Sequence, residues 1–482
     1  MTGHDLLKLM PLILLAATPL VAMLVIAIKR NHAVVVLLSI FGLLMAFFAI
    51  PGAKFSYGDQ IGSLLTIDRY ALFYFALIFL ATIAIIIPSY RYLELRFKGN
   101  REEYYLLLLT ATLGSTVLAA SNHFVSFFLG LEVLSVSLYG LIAYLRQSEE
   151  GIEAGLKYLI LAAVSSAFLI FGMALVYSQV GSMQFKEIIG FLSQKGHYNL
   201  ISVAGLSLMV VGFGFKLAVV PFHMWSPDVY QGAPAPVTAF IASVSKGGIL
   251  ALLFRFFADF NIVQSKPLFT IFAVIAVLSM FGGNFLALLQ SNVKRLLAYS
   301  SIAHFGYILV AFIAGNAQHT FKGVEAATFY LVSYFITIIG AFVIIGMIST
   351  EEREGMEMAD YRGLYWRHPW LSVALSAMMF SLAGIPLTSG FIAKYYILAA
   401  GLSNKLWTLI IILVINSALG VYYYLRVTVE MFSNVSEEEK AGFISPNVGI
   451  LGGLLIAVLT VALIWLGVYP TGLIDSIQGA VF

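Results

Sequence analysis

The chain is dominated by long apolar runs that are separated by short polar stretches and recur about every 34 residues along its whole length. Each run has roughly the 17 to 25 residues that a helix needs to cross about 30 Å of hydrocarbon, whereas a barrel strand has only about 10 residues of alternating polarity. The pattern therefore predicts fourteen transmembrane helices, approximately over residues 10–28, 33–50, 70–88, 104–120, 124–145, 155–180, 200–222, 236–257, 268–289, 296–315, 325–348, 370–400, 406–430 and 447–468.

Composition supports this interpretation. Of the 482 residues, 61% are hydrophobic and only 11% are charged, and the mean hydropathy is +0.95. A single water-soluble core could not bury such a chain. The first run ends in Lys29 and Arg30 without a convincing small-residue cleavage site, so we interpret it as a retained helix rather than a signal peptide. The predicted fold is an all-α polytopic membrane protein, with residues 1–482 forming a single transmembrane domain.

The distribution of lysine and arginine predicts the orientation of the chain in the membrane. If the predicted helices are numbered in order, the loops after odd-numbered helices carry fifteen of these residues, while the N-terminus and the other loops carry nine. Much of the difference comes from the stretch RYLELRFKGNRE. Positive charge favours the cytoplasmic side, so we expect both termini on the outer side.

Two of the predicted helices are interrupted. The seventh meets Pro221, and the twelfth contains Gly384, Pro386 and Gly390 in the stretch SLAGIPLTSGF. Proline removes a backbone hydrogen bond, and such backbone is tolerated at membrane depth only where protein or a wet cavity shields it. The breaks are five helices apart, an odd offset that predicts two inverted repeats, helices 4–8 (residues 104–257) and 9–13 (residues 268–430). The alternative is two unrelated proline kinks.

Charged residues inside the apolar runs are few enough to weigh singly. Glu132, Lys216, Lys246 and Lys394 all fall near the middle of their helices at 1.5 Å per residue. A charge that faces lipid there costs about 2.5 to 3.5 kcal/mol or more, so each should face protein or water. We expect a row of groups across the membrane plane that passes protons or charge imbalance sideways, with Glu132 paired to Lys216. A structural ion pair between these two is the alternative.

Histidines and other polar residues near the breaks are more ambiguous. His304 lies at mid-depth and could relay protons between Lys246 and Lys394, or it could simply be hydrogen-bonded to a backbone carbonyl. His223 follows Pro221 and could cap a helix or form a gate. The polar stretch from His223 to Pro236 is expected to unwind and loop back to Lys246.

Three more polar residues are assigned to helix ends or the surface. His123 is interpreted as interfacial at a helix end, and Asp228 as a helix N-cap near the outer end of the broken helix. Lys157 is interpreted as a side chain that extends to the cytoplasmic surface, with a role in proton uptake as the alternative.

Several kinds of chemistry find no support. The chain has no cysteine, which excludes cysteine-held iron–sulfur clusters and CxxC redox pairs. Its glycine-rich stretches follow no predicted strand, so they are not nucleotide-binding loops. We find no metal-ligand cluster and no nucleophile–base–acid arrangement, and the scattered net charge of +3 does not suggest a nucleic-acid partner.

Four stretches resemble a known family. They are LGLEVLSVSLYGL around Glu132, GFGFKLAVVPFHMWSPDVYQGAPAPVTAFIASVSK over 212–246, NVKRLLAYSSIAHFGYILV over 292–310 and SLAGIPLTSGFIAKYYIL over 381–398. Together they resemble the antiporter-like proton-pumping membrane subunits of respiratory complex I, most of all the N-type subunits of bacterial NADH-quinone oxidoreductase. The resemblance covers essentially the whole chain, and the lysine at 394 is similar to that of the N-type.

The resemblance implies a function and a set of site residues. Glu132 and Lys216 would form the family's glutamate–lysine pair, Lys246 the central connecting lysine, Lys394 the terminal proton-transfer lysine, and His304 part of the hydrated axis between them. Proton pumping would be driven by electron transfer from NADH to quinone in partner subunits. Those partners would hold the FMN, the iron–sulfur clusters and the quinone, so this chain would bind no cofactor itself.

The resemblance also implies a location and partners. The chain would lie in the bacterial inner membrane beside the other membrane subunits of the complex and in contact with lipids. Two alternatives stay open: a subunit of a multi-subunit cation/proton antiporter, which shares the fold and the buried charges, and a structural membrane scaffold whose buried ion pairs move no protons.

Overall fold

The computed structural model describes residues 3–54, 60–193, 199–258, 260, 262–315, 322–434 and 449–481, and nearly all of their regular structure is helical. Helices in the first part of the chain are α1 (Gly3–Ile28), α2 (His32–Phe48), α3 (Ile50–Lys54), α4 (Arg69–Arg96), α5 (Glu102–Ala120), α6 (Phe124–Ile142), α7 (Glu149–Val180), α8 (Phe185–Leu192) and α9 (Leu200–Leu217). A short antiparallel hairpin of β1 (Gln60–Ile61) and β2 (Leu65–Thr66) lies between α3 and α4.

The second part of the chain continues in the same way. Its helices are α10 (Trp225–Gly232), α11 (Ala235–Phe240), α12 (Lys246–Phe256), α13 (Lys266–Leu288), α14 (Val293–Ala314), α15 (Gly323–Ile348), α16 (Leu364–Arg367), α17 (Pro369–Ala383), α18 (Ser389–Ser403), α19 (Trp407–Phe432), α20 (Ile450–Val468) and α21 (Thr471–Gln478). A π-helical turn, Ile241–Ser245, joins α11 to α12 without a break, and 3₁₀ turns occupy Ile262–Gln264 and Met358–Tyr361.

The predicted set of fourteen spans is confirmed over the described residues. Thirteen helical segments there are long and apolar enough to cross a membrane. The predicted twelfth span is present as two shorter helices, α17 and α18, on either side of the expected break. The helices are generally a few residues longer than the apolar runs, because polar residues cap and extend their ends. Asn31, for example, accepts a hydrogen bond from the Val34 amide at the start of α2.

Both predicted interruptions are real. Helix α9 ends at Leu217, four residues before Pro221, and its cap Ala218 adopts a left-handed conformation with φ of 57°. Helix α17 ends at Ala383, and its cap Gly384 is also left-handed, with φ of 82°. A left-handed cap turns the chain sharply and satisfies the last carbonyls of a helix.

The seventh span differs from the expectation in one respect. The polar stretch after Pro221 was expected to unwind and loop, but Trp225–Gly232 forms the short helix α10. Its helical conformation is stabilised by the burial of Trp225, Val229 and Tyr230, which pack into the bundle rather than facing solvent.

Three spans form the centre of the bundle. In the most apolar stretch of each span, the protein buries 100% of Ala235–Phe256, 94% of Val293–Ala314 and 89% of Gly323–Ile348. It buries only 22% of that stretch in the last span, Ile450–Val468. Charged side chains on the central helices therefore face protein and not lipid. This arrangement is what allows Lys246 to be retained in an apolar helix.

Candidate proton-translocation site

Lys246 lies at the centre of the site. It begins α12, directly after the π-helical turn, and its side chain is fully buried. Its ammonium donates a hydrogen bond to the Ser301 hydroxyl at 2.7 Å and lies 4.7 Å from the centre of the Phe305 ring and 5.7 Å from that of Tyr230. The Tyr230 hydroxyl also donates to Ser301, at 3.4 Å. One hydroxyl on α14 thus receives hydrogen bonds from α12 and from α10.

The same face of α14 continues toward the second broken helix. Ser301, His304 and Tyr307 are three residues apart, so they project from one side of the helix. The His304 ring lies edge-on to Tyr307, with centroids 5.6 Å apart. The Lys394 ammonium lies 5.5 Å from the centre of the same tyrosine ring. Helix α14 therefore connects the surroundings of Lys246 with those of Lys394.

His304 is bracketed by two tyrosine hydroxyls from other helices. Its Nδ1 is 2.6 Å from the hydroxyl of Tyr330 on α15, and its Nε2 is 2.9 Å from the hydroxyl of Tyr424 on α19. The Tyr424 hydroxyl is also 2.5 Å from that of Ser300. The alternative of a histidine bound to a backbone carbonyl is wrong, because both ring nitrogens face groups that can both donate and accept a proton.

Lys394 lies beside the break in the twelfth span. Its ammonium donates to the Leu382 carbonyl at 3.0 Å, the Ala383 carbonyl at 2.8 Å and the Ser417 hydroxyl at 2.9 Å. The two carbonyls belong to the last turn of α17, where helix carbonyls lack partners and carry partial negative charge. The broken helix therefore holds a buried ammonium by means of its own exposed backbone.

No direct ion pair joins Glu132 and Lys216. No carboxylate oxygen lies within 4.0 Å of the Lys216 ammonium among the residues that the structure describes. Lys216 instead donates to the Ser135 hydroxyl at 2.6 Å, and the half-buried Glu132 accepts from Ser166 at 2.6 Å. The alternative of a structural ion pair is therefore wrong: each charge has its own serine, and Ser135 lies one turn from Glu132 on α6.

Helix α10 lies between Lys216 and Lys246. The Trp225 ring packs at a tilt against Tyr158, with ring centroids 5.0 Å apart, and the Tyr158 ring centre is 5.6 Å from the Lys216 ammonium. The Trp225 indole nitrogen donates to the Phe215 carbonyl at 2.9 Å. At the other end of α10, Tyr230 approaches Lys246. The two lysines share no direct hydrogen-bond partner in the described part of the chain, so α10 is the element that connects their surroundings.

His123 and His223 have different environments from that of His304. The His123 side chain caps α6 by accepting from the Val125 amide at 3.1 Å, in keeping with the predicted position at a helix end, and partial burial lowers the pKa of its imidazole. His223 is buried beside the first break, and its Nδ1 has no hydrogen-bond partner among the described residues.

The expectation for Asp228 is wrong. Asp228 lies in the first turn of α10, whose N-cap is Met224, and it receives the Lys157 ammonium and the Arg295 guanidinium, each at 2.7 Å. Burial alone would raise the pKa of this carboxyl, but hydrogen bonds from the two cations outweigh that effect and lower it. Both partners belong to the end of the bundle that is rich in lysine and arginine, opposite to the end predicted for Asp228.

Lys157 is at the surface, as predicted. Its side chain is 43% exposed and also pairs with Glu153 at 2.7 Å. The Arg295 guanidinium also donates to the Gln231 side chain at 3.0 Å. Lys157 and Arg295 together fix the face of α10 that carries Asp228.

Sequence reasoning missed most of the uncharged partners. Serine and tyrosine are ordinary residues in membrane helices, and nothing in their spacing singles out those that contact the charged groups: Ser135, Ser166, Tyr158, Tyr230, Tyr330, Tyr424 and Ser417. It also did not single out Glu354, which lies in the charged stretch EEREGMEM.

Comparison with known proteins agrees with this arrangement. Residues 121–420 match the family described as NADH:quinone oxidoreductase/Mrp antiporter, TM. NADH-quinone oxidoreductase subunit N of Ectopseudomonas mendocina (strain ymp) is 43% identical over 485 residues, covering 99% of this chain and 97% of the relative. The chain belongs to the family of antiporter-like membrane subunits that includes NADH-quinone oxidoreductase subunit N.

Chains in two solved membrane complexes share the fold. A chain in respiratory complex I from Thermus thermophilus with bound aureothin is 31% identical, with a TM-score of 0.82 over 97% of this chain and 99% of that one. A chain of the Mrp complex from Dietzia sp. DQ12-45-1b has a TM-score of 0.83 over 100% of this chain and 97% of that one, but its identity of 21% makes this a likeness of fold alone.

In the part of the chain that the structure describes, no group of three or more histidine, aspartate or glutamate side chains is arranged to hold an ion.

Proposed function

We propose that the chain is the proton-translocating N subunit of an NADH-quinone oxidoreductase. The observation that carries this proposal is the single face of α14 on which Ser301, His304 and Tyr307 connect Lys246 to Lys394 through the centre of the bundle. Its relatives at 43% identity bear that name, and the likeness to them extends over nearly the whole chain.

Protons would move along a buried axis of five groups: Glu132, Lys216, Lys246, His304 and Lys394. In a site of low dielectric constant, the charge of one group strongly changes the proton affinity of its neighbours. A change at Glu132 therefore alters Lys216, and the disturbance passes through α10 to Lys246 and along α14 to Lys394. Hydroxyl groups on Ser135, Ser301, Tyr330 and Tyr424, together with bound water, would carry the protons themselves.

This chain would do no redox chemistry itself. Electron transfer from NADH to quinone would occur in partner subunits that hold FMN and iron–sulfur clusters, and its energy would reach the axis electrostatically through neighbouring membrane subunits. Half-buried Glu132, at the margin of the bundle, is the member of the axis best placed to respond to a neighbour.

The proposal includes the topology of the chain. The protein would be a multi-pass protein of the bacterial inner membrane with both termini on the outer side. Residues 104–257 and 268–430 would form two inverted repeats. The left-handed caps at Ala218 and Gly384, each followed within three residues by a proline, support this correspondence.

A second candidate function is that of a subunit in a multi-subunit cation/proton antiporter. The family that residues 121–420 match also includes Mrp antiporters, and the Dietzia chain shares the fold. Purification of the tagged chain from its native membrane separates the two. The proposed function predicts co-purification with subunits that carry FMN and iron–sulfur clusters, and with NADH:quinone activity. An assembly of membrane subunits alone, without flavin or iron, would contradict it and favour the antiporter.

A further inference from the structure

Lys294 and Glu354 form a buried ion pair that the proton axis does not use. The ammonium and carboxylate are 2.6 Å apart, and their side chains are 0% and 6% exposed. Lys294 is the second residue of α14, and Glu354 lies in the loop after α15. Burying two charges carries a larger desolvation free energy than forming a surface pair, unless hydrogen bonds satisfy the remaining donors and acceptors of both groups.

Three of those hydrogen bonds go to one short segment, residues 231–235, which we call the 231–235 link. Lys294 donates to the Gln231 carbonyl at 3.0 Å and the Ala233 carbonyl at 2.6 Å, in addition to Glu354. The Glu354 carboxylate accepts from the Ala235 amide at 2.9 Å and from the Tyr92 hydroxyl. All three hydrogens of the Lys294 ammonium are thus donated. Residues 231, 233 and 235 of the link each form a hydrogen bond with the ion pair.

The signs of the two charges match the helix ends that they contact. The Gln231 and Ala233 carbonyls lie at the C-terminal end of α10, where backbone oxygens lack partners, and the Ala235 amide lies at the N-terminal end of α11. A cation is favoured at the first kind of end and an anion at the second. Pro234 and Pro236 have no N–H group, so Ala235 offers one of the few amides of the first turn that an anion can hold.

Burial alone would raise the pKa of the Glu354 carboxyl. The charge and hydrogen bond of Lys294, together with the Tyr92 hydroxyl, outweigh burial and lower it. The carboxylate therefore stays ionised at neutral pH.

The link lies between two groups that meet at the proton axis. Tyr230 comes immediately before it on α10, and Lys246 follows on the continuous α11–α12 helix. Both donate to Ser301. Ser301 is seven residues beyond Lys294 on α14, or about 10 Å along the helix axis. Helix α14 thus binds the link through Lys294 and, two turns further along, accepts hydrogen bonds from Tyr230 and Lys246 through Ser301.

We propose that Lys294 and Glu354 are positioning residues for proton transfer at Lys246. By fixing the 231–235 link against α14, they set the distance at which Lys246 and Tyr230 meet Ser301. This inference rests on the proposed function, because it assigns the pair a role in proton transfer through Lys246. A pair that only stabilised the fold would have no specific effect on that group.

The test uses the complete complex, purified from its native membrane and reconstituted into liposomes. In the Lys294→Met, Glu354→Gln variant, both charges are removed, so neither is left buried alone, while the glutamine oxygen can still accept from Ala235. Arg353→Ala is the matched control, because it breaks the neighbouring ion pair of the exposed Arg353 with Asp360 and leaves the Lys294–Glu354 pair intact. Proton pumping is measured per assembled complex.

We expect the double variant to assemble and to pump about tenfold more slowly, which corresponds to about 1.4 kcal/mol in the barrier, while Arg353→Ala pumps at the unmodified rate. Adding Ser301→Ala to the double variant should cause little further loss, because both changes disturb the same contact of Lys246. Any of three results would overturn the proposal. The double variant could pump at the unmodified rate, its loss of pumping could multiply with the loss caused by Ser301→Ala, or the variants of the pair could fail to assemble. Lys246→Met, measured alongside, separates these outcomes from failure of the proposed function, which would leave that variant pumping normally.

Discussion

The Lys246 ammonium donates a hydrogen bond to the Ser301 hydroxyl, 2.7 Å away on the neighbouring helix α14. It is the only hydrogen bond of this ammonium among the described residues, and no carboxylate there lies within 4.0 Å of it. An ammonium buried without a counter-charge responds strongly to any charge that changes nearby. This property suits a group in the middle of a chain of proton carriers.

Replacing Ser301 with alanine should slow proton pumping several-fold without preventing assembly. The change removes the hydroxyl that receives both Lys246 and Tyr230 but leaves a small side chain that fits a helix interface. Pumping per assembled complex is the measurement. Ser39→Ala is the control, because Ser39 is also buried but bonds only to the Val35 carbonyl of its own helix. Equal rates for the two variants would contradict a role for Ser301.

Serine at position 135 should matter more than serine at position 137 on the same helix. Ser135 accepts from Lys216, whereas Ser137 faces Thr110 and the Val133 carbonyl, away from the axis. We expect Ser135→Ala to reduce pumping several-fold, because Lys216 loses its hydrogen bond. Ser137→Ala should pump normally. If the two variants behaved alike, the position of Ser135 next to Lys216 would have no part in transfer.

The two tyrosines beside His304 should act together. Tyr330→Phe and Tyr424→Phe each remove one hydroxyl from a ring nitrogen of His304 while preserving the aromatic packing. If His304 passes a proton from one side to the other, either loss blocks the same step, so the double variant should be hardly slower than the slower single variant. Pumping rates of the three variants, per assembled complex, test this. If the fold-losses of the two single variants multiplied in the double variant, the two hydroxyls would act independently of His304.

The ion pairs of Asp228 should stabilise the protein in a way that depends on pH. Because Lys157 and Arg295 lower the pKa of this carboxyl below its ordinary value of 3.8, its contribution is complete above that value and is lost as the pH falls toward the folded-state pKa. Thermal unfolding of the purified complex should therefore show Asp228→Asn less stable than the unmodified protein by a constant difference from about pH 8 to pH 5, narrowing below about pH 4. A difference that grew on acidification would have the wrong sign.

Charges in the membrane and the two helix breaks were accessible from the sequence because each is rare in its setting. A lysine such as Lys246 inside an apolar run, or a proline such as Pro221 within a predicted span, has few explanations. The apolar runs predicted the fourteen spans, and these rarer features pointed to the breaks and to the residues proposed for the axis. They could not predict which hydroxyl contacts each charge, because the rotation of one helix about its axis depends on how it packs against its neighbours.

One error and two omissions have the same physical origin. Asp228, expected to cap a helix, pairs with Lys157 and Arg295, which are distant in sequence. The serine partner of Glu132, Ser166, and the burial of Glu354 in a charged loop were not foreseen. In each case the nearest polar partner lies on another helix. Local patterns indicate the secondary structure and the depth of a residue, but the choice of partner is made by tertiary packing.

The central claim is that protons cross the membrane through Lys216, Lys246 and Lys394. Its most direct test is the measurement of proton pumping and NADH:quinone activity in liposomes with the assembled complex that carries Lys216→Ala, Lys246→Ala or Lys394→Ala. Each change removes a buried proton carrier, so we predict that each variant assembles and pumps at least about tenfold more slowly, equivalent to about 1.4 kcal/mol or more in the barrier. Pumping at the unmodified rate in all three variants would contradict the account.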